Sequence, residues 1–178
     1  MKKITVLSAI FSSVLCNASF ADDISTTEWK IPAEKTAVAA TSLQKLNALE
    51  TLAVPGSGQL TVLHFWATWC PPCIEELPQI DRLAAELQSK GIAVEAVSED
   101  RGGANDVNAF FSRHETTPHM PQLLDPKRAL ARSLGINSLP VTVLINADGQ
   151  EIARLVGNGQ WDGDDKKKLL SLLQVSPP

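Results

Sequence analysis

Leu60-Thr61-Val62-Leu63-His64-Phe65-Trp66-Ala67-Thr68-Trp69-Cys70-Pro71-Pro72-Cys73 is the stretch that decides the fold of this chain. Leu60 to Ala67 is an apolar, strand-like run, and the residues from Ile74 to Gln88 read as a helix. Two cysteines two residues apart at a strand-to-helix junction make a minimal device for thiol–disulfide exchange. The helix N-terminus aims backbone N–H groups and partial positive charge at the first sulfur, which stabilises its thiolate. Cys70 would sit exposed at the helix start and attack first. Cys73, one turn inward, would resolve the mixed disulfide.

A Cys-x-x-Cys pair is also half of many zinc sites, and it can be a structural staple. Zinc needs more ligands at suitable spacing. The only other cysteine is Cys16, and the nearest histidine, His64, lies on the preceding strand. A disulfide closing so short a loop constrains the unfolded chain little. Redox chemistry is the expectation that remains.

Downstream, Leu77, Ile80, Leu83, Ala84 and Leu87 recur at helical spacing as a buried stripe. Gly91 ends that helix, and Ile92 to Val97 returns as a second strand. Strand, crossover helix and strand form a right-handed βαβ unit with parallel strands. A helix over Ala104 to Arg113, a loop from His114 to Pro121 and a short helix over Pro126 to Leu134 follow. Val141 to Ile145 reads as a buried strand, and Asn146-Ala147-Asp148-Gly149 as a hairpin turn into a strand over Glu151 to Val156. A helix over Asp162 to Leu173 closes the chain, its early acids preceding Lys166-Lys167-Lys168 as the helix dipole prefers. The expected class is α/β: a mixed sheet, part parallel and part antiparallel, flanked by helices.

Upstream, Asp22 to Ser57 is polar and weakly periodic. Leu43, Leu46, Leu49 and Leu52 predict one short amphipathic helix over Ser42 to Leu52, the remainder being an extended leader. Met1-Lys2-Lys3, the apolar run Ile4 to Leu15 and Ser19-Phe20-Ala21 form a signal-peptide pattern with cleavage after Ala21. The run is shorter than the about 20 apolar residues a membrane span requires. An uncleaved anchor is the other reading; lipid attachment at Cys16 is disfavoured by bulky Leu15. The expected division is 1–21 signal peptide, 22–57 N-terminal extension and 58–178 redox domain.

Cleavage would remove Cys16 and leave Cys70 and Cys73 alone, an even pair suited to an oxidising, exported compartment. Loss of Lys2 and Lys3 from 16 basic residues would leave 14 against 20 acidic ones, a net charge of −6. No basic stripe with interleaved aromatics is present, so nothing supports nucleic-acid binding.

Phe65-Trp66-Ala67-Thr68-Trp69-Cys70-Pro71-Pro72-Cys73, with Gly135-Ile136-Asn137-Ser138-Leu139-Pro140-Val141-Thr142 far downstream, resembles the thioredoxin superfamily. Within it the chain looks like the TlpA/ResA-type branch of periplasmic thiol–disulfide oxidoreductases, from roughly Gly58 to Val175. The resemblance implies a thioredoxin fold with an inserted helix between Gly102 and Pro121. It also implies a cis Leu139-Pro140 bond beside the cysteines, and Trp69 on the client-facing surface. An ordinary trans proline opening the strand is the alternative. Catalytic Cys70 and Cys73 would then be supported by Trp69, Pro140, Glu76 and His64, with no metal and no cofactor beyond the Cys70–Cys73 disulfide.

Two departures matter. His64 stands where thioredoxins carry a buried aspartate, so it is either a proton acceptor for Cys73 or a hydrogen-bonded core histidine. Glu76 matches a glutamate of ResA-type proteins, yet Glu75 and Glu76 also fit as surface acids favoured in a first helical turn. Val141 replaces the glutamate that DsbE-type proteins usually carry after the proline, which weakens the case for apocytochrome as client. The resemblance implies a reductase of disulfides in exported proteins, recharged by a membrane electron donor of the DsbD/CcdA type. A disulfide-forming oxidase is the rival enzyme. A copper-binding accessory protein using Cys70, Cys73 and a histidine is the rival outside catalysis; His114, His119 and Met120 are soft ligand types, but their Pro-rich stretch reads better as a solvated loop.

Overall fold

The structure, a computed structural model, describes residues 27–56, 58–114 and 118–174. The readings of a signal peptide over 1–21 and of Cys16 lie outside the described residues. The elements run β1 (Glu28–Lys30), β2 (Thr36–Ala37), β3 (Thr41–Lys45), β4 (Thr51–Val54), β5 (Thr61–Trp66) and α1 (Pro71–Gln88). They continue β6 (Ala93–Ser98), α2 (Ala104–Arg113), β7 (Gln122–Leu124), α3 (Ala129–Ser133), β8 (Val141–Ile145), β9 (Gln150–Val156) and α4 (Asp164–Leu172).

All nine described strands join one sheet in the order β1-β9-β8-β5-β6-β7-β3-β4, with β2 also on β9. β5 is parallel to β6 and antiparallel to β8, so the two halves of the sheet meet at the strand that leads into the cysteines. All six residues of β5 are buried, as a central strand covered on both faces demands. Val62 and Trp66 pack under α1, α2 and α4, with Leu77, Phe110 and Leu169. Leu63 and Phe65 point the other way, toward Leu130 of α3 and Leu43 and Val54 of the N-terminal strands. Period-two alternation therefore puts His64 on the α1 face, between Val62 and Trp66.

α1 buries Cys73, Glu76, Leu77, Ile80, Leu83, Ala84 and Leu87 along one stripe. Gly91, at φ 74°, lets the chain turn out of the helix, and the Ile92 N–H closes on Leu87 O at 3.1 Å. That turn delivers β6 beside β5.

The helix expected over Ser42 to Leu52 is a β-hairpin. Leu43 pairs with Leu52 across β3 and β4, and Asn47 takes φ 58° in the turn between them. Leu49 stands fully exposed at the tip rather than on a buried stripe. A leucine every third residue mimicked a helix, but β7 offers an edge, and Gln44 and Lys45 take it at Leu124 and Leu123. Within the extended leader, Glu28–Lys30 adds to β9 as an edge strand. Among the described residues no helix is long and apolar enough to cross a membrane.

Candidate active site

The Cys70 N–H bonds Ala67 O at 3.1 Å, which turns the chain out of β5, and Cys70 itself caps α1. Pro71 and Pro72 fill the first two helical positions, where a missing N–H costs nothing to the helix ladder. The turn is fastened from β6. Asp100, 1% exposed, accepts from the Thr68 N–H at 3.0 Å, the Thr68 hydroxyl at 2.7 Å and the Ser98 hydroxyl at 2.8 Å. Asp100 was not singled out in the sequence. Its signal was an acid at the C-terminal end of a strand neighbouring the cysteines.

Cys70 and Cys73 are joined as a disulfide, their Cα atoms 5.3 Å apart. Cys70 is 5% exposed and Cys73 not at all. The outer sulfur is thus the first cysteine, as the helix position implied, although Cys70 is buried rather than exposed in this oxidised state. Trp69 beside it is 65% exposed. The Leu139–Pro140 bond is cis, and so is Val54–Pro55. An open cleft of about 590 Å³ runs from Trp69 to Ser138 and Leu139, floored by Glu99 and Arg128. Glu99 is 3% exposed and holds the Arg128 guanidinium at 2.5 Å, while burial pushes its carboxyl above the ordinary range.

Glu75 is exposed, but Glu76 is not a surface acid: it is 1% exposed. One turn along α1 from Cys73, its Oε2 accepts the Gly159 N–H at 2.8 Å and the Trp161 indole N–H at 2.9 Å. Its Oε1 faces His64 Nε2 at 3.5 Å. Neither of those two atoms has a hydrogen bond elsewhere among the described residues. Burial pushes the Glu76 carboxyl up to about 7, outweighing the two donors that favour the carboxylate. Burial alone pulls His64 down to about 3, so the imidazole is neutral at physiological pH. The 3.5 Å approach is therefore not an ion pair, and neither atom makes a hydrogen bond among the described residues. His64 Nδ1 and Thr142 Oγ1 are hydrogen-bonded at 3.1 Å across β5 and β8.

The structure thus brings Cys70, Cys73, Glu76 and His64 onto one face, with Trp69 and Leu139, the residue before the cis proline, lining the adjoining cleft. His119 and Met120 are held elsewhere: Asp81 bonds His119 Nδ1 at 2.9 Å, and Met120 is buried. His114 Nδ1 meets Phe110 O at 2.9 Å. Among the described residues no three His, Cys, Asp or Glu side chains are grouped to hold an ion. Trp161 and Gly159, which complete the Glu76 site, carried no motif that sequence reading could use.

Residues 31–152 match the AhpC/TSA family. The sporulation thiol-disulfide oxidoreductase A of Bacillus subtilis is 34% identical over 116 residues, covering 64% of this chain and 69% of that protein. The thiol-disulfide oxidoreductase ResA of Geobacillus thermodenitrificans is 30% identical over 145 residues, covering 78% and 81%. The crystal structure of StoA from Bacillus subtilis superposes with a TM-score of 0.63 at 26% identity, over 77% of this chain and 98% of that one. With its thioredoxin fold and its Cys-Pro-Pro-Cys disulfide, this chain belongs to the AhpC/TSA family, as a thiol–disulfide oxidoreductase of the ResA and StoA kind.

Proposed function

We propose that the protein works mainly as a reductase of disulfides in exported proteins. The observation that carries this reading is the supply of donors to the Cys70 sulfur. Pro71 and Pro72 have no N–H, and the Ile74 N–H closes on Cys70 O at 3.1 Å. Of the first helical turn, only the Cys73 N–H is left for the Cys70 thiolate. A weakly stabilised thiolate leaves the disulfide favoured and makes the dithiol a better electron donor.

In the reductive half-cycle the Cys70 thiolate attacks one sulfur of the client disulfide. A bond from Cys70 Sγ to that sulfur forms, the client S–S bond breaks, and the other client sulfur leaves as a thiolate that takes a proton from water. Cys73 then gives its proton to the Glu76 carboxylate and attacks Cys70 Sγ. The Cys70–Cys73 disulfide forms, and the second client thiolate departs and is protonated. Two electrons have passed from the dithiol to the client.

A carboxyl titrating near neutrality suits this role, because it can both take and return the proton at working pH. His64 supports either state. A protonated Glu76 donates to a bare Nε2, and a carboxylate accepts from Nε2–H. The Thr142 hydroxyl can donate or accept at Nδ1, so both imidazole tautomers are served. Trp69 and the Leu139–Pro140 segment would flank the client chain, with backbone pairing beside Pro140 as a short β-addition.

Export is supported by the leader pattern of residues 1–21, and recharging by a DsbD/CcdA-type membrane donor by the family resemblance. The test is equilibration with glutathione or dithiothreitol buffers. A reductase falls near the thioredoxin value of about −270 mV, and a DsbA-like oxidase near about −120 mV. A potential at the oxidase end would overturn the direction proposed. A Cys73→Ala variant, unable to resolve, would trap the client as a mixed disulfide on Cys70.

A further inference from the structure

The Glu76 carboxylate is held by a segment that the N-terminal strand itself holds. Gly157 to Trp161 joins β9 to α4, and its Gly159 N–H and Trp161 indole both donate to Glu76 Oε2. The Trp161 N–H reaches Gln79 Oε1 at 3.1 Å, so three hydrogen bonds fasten the segment to α1, at Glu76 and at Gln79. Gly159 has no room for a side chain: a Cβ there would lie 2.6 Å from the Trp161 ring and 2.8 Å from Leu155. The indole is therefore packed hard against the backbone that supplies the other donor.

On the outer side stands Trp29 of β1, opposite Leu155 in the sheet. Its ring meets Trp161 edge to face, with centroids 6.4 Å apart at 83°. Its own indole N–H donates to Asp165 Oδ1 at 2.7 Å. Asp165 Oδ2 accepts the Gln160 N–H at 2.8 Å, which ties the same carboxylate back to the segment. Its charge also acts on Glu76.

We infer that Trp29 is a positioning residue for the redox site: through Trp161 and Asp165, docking of the N-terminal strand on β9 fixes the donors that Glu76 uses when it takes the Cys73 proton. The inference rests on Glu76 being that acceptor. The titratable groups facing Glu76 are His64 from β5, Asp165 from α4 and Cys73 from its own helix. Without Trp29, the Trp161 indole loses the wall that aims it. Asp165 loses a donor that offsets its charge. Both changes disfavour the Glu76 carboxylate, so the pH midpoint of the Cys73 step moves upward.

The experiment is stopped-flow release of a small disulfide substrate by the full chain, from pH 5 to pH 9. It compares wild type, Trp29→Phe, Trp29→Ala, Glu76→Gln and the Trp29→Ala/Glu76→Gln pair. Trp29→Ala should slow release about threefold at pH 7 and leave the first attack unchanged, while adding nothing once Glu76 is Gln. Trp29→Phe keeps the edge-on ring, which preserves the docked strand, and should move the midpoint the same way by less. A midpoint that stays put or falls in the Trp29 variants overturns the inference, as does an equal slowing with and without Glu76. If Glu76→Gln alone leaves release untouched, it is the role of Glu76 that fails, and the positioning role falls with it.

Discussion

Replacing Glu76 by Gln should reshape the pH dependence of stability in a way that a surface glutamate could not. The amide keeps a carbonyl for the Gly159 and Trp161 donors, and its NH2 can reach toward His64 Nε2. It removes only the charge. In the wild type the carboxyl is raised from an ordinary 4.5 to about 7 by burial. The folded state therefore holds a proton that the unfolded state has already lost between those pH values. Stability falls as pH rises through that window, and the loss is complete above about pH 7. Each tenfold difference in proton affinity is worth about 1.4 kcal/mol. From pH 5 to pH 8 the wild type should lose about 2–3 kcal/mol that the Gln variant does not. His64 and Glu95 titrate in both proteins and drop out of the difference. Urea unfolding of the oxidised proteins at the two pH values, with equal m-values as the check on two-state behaviour, measures it. Parallel stability curves would refute the buried, proton-holding carboxyl and return Glu76 to an ordinary acid.

Three further outcomes follow from the same geometry. In the reduced protein, Cys70 should be alkylated at least about tenfold faster than Cys73, because the outer sulfur is reached first; peptide mapping after limited labelling decides it, and faster labelling of Cys73 would reverse the order of attack. Asp100→Ala removes two hydrogen bonds to the turn that presents the cysteines and one to Ser98 of β6, and should cost about 3 kcal/mol in urea unfolding; a loss under about 1 kcal/mol would mean that the turn holds itself. Gly159→Ala drives a methyl into the Trp161 ring and should cost about 1–3 kcal/mol, seen as a lower unfolding midpoint; an unchanged midpoint would mean that the ring has room to give.

Local signals carried much of this protein. The apolar run before Cys70, the stripe of Leu77, Ile80, Leu83 and Leu87, and the Asp148-Gly149 turn are patterns within single elements, and each formed the element its period required. The Cys-Pro-Pro-Cys spacing fixed the chemistry because three residues along a nascent helix bring two sulfurs within bonding reach. Tertiary structure decided the rest. Leu43 to Leu52 had helical spacing, yet β7 supplied hydrogen-bonding partners that only the folded sheet could offer. Glu76 was equally readable as a surface acid or as the active-site glutamate that the family resemblance implies. What buried it was Trp161, 85 positions away in sequence, together with the imidazole of His64 on β5. Local propensity acts over a few residues and can be read from them. A carboxyl's proton affinity is set by whatever surrounds it, and those surroundings exist only once distant segments have packed.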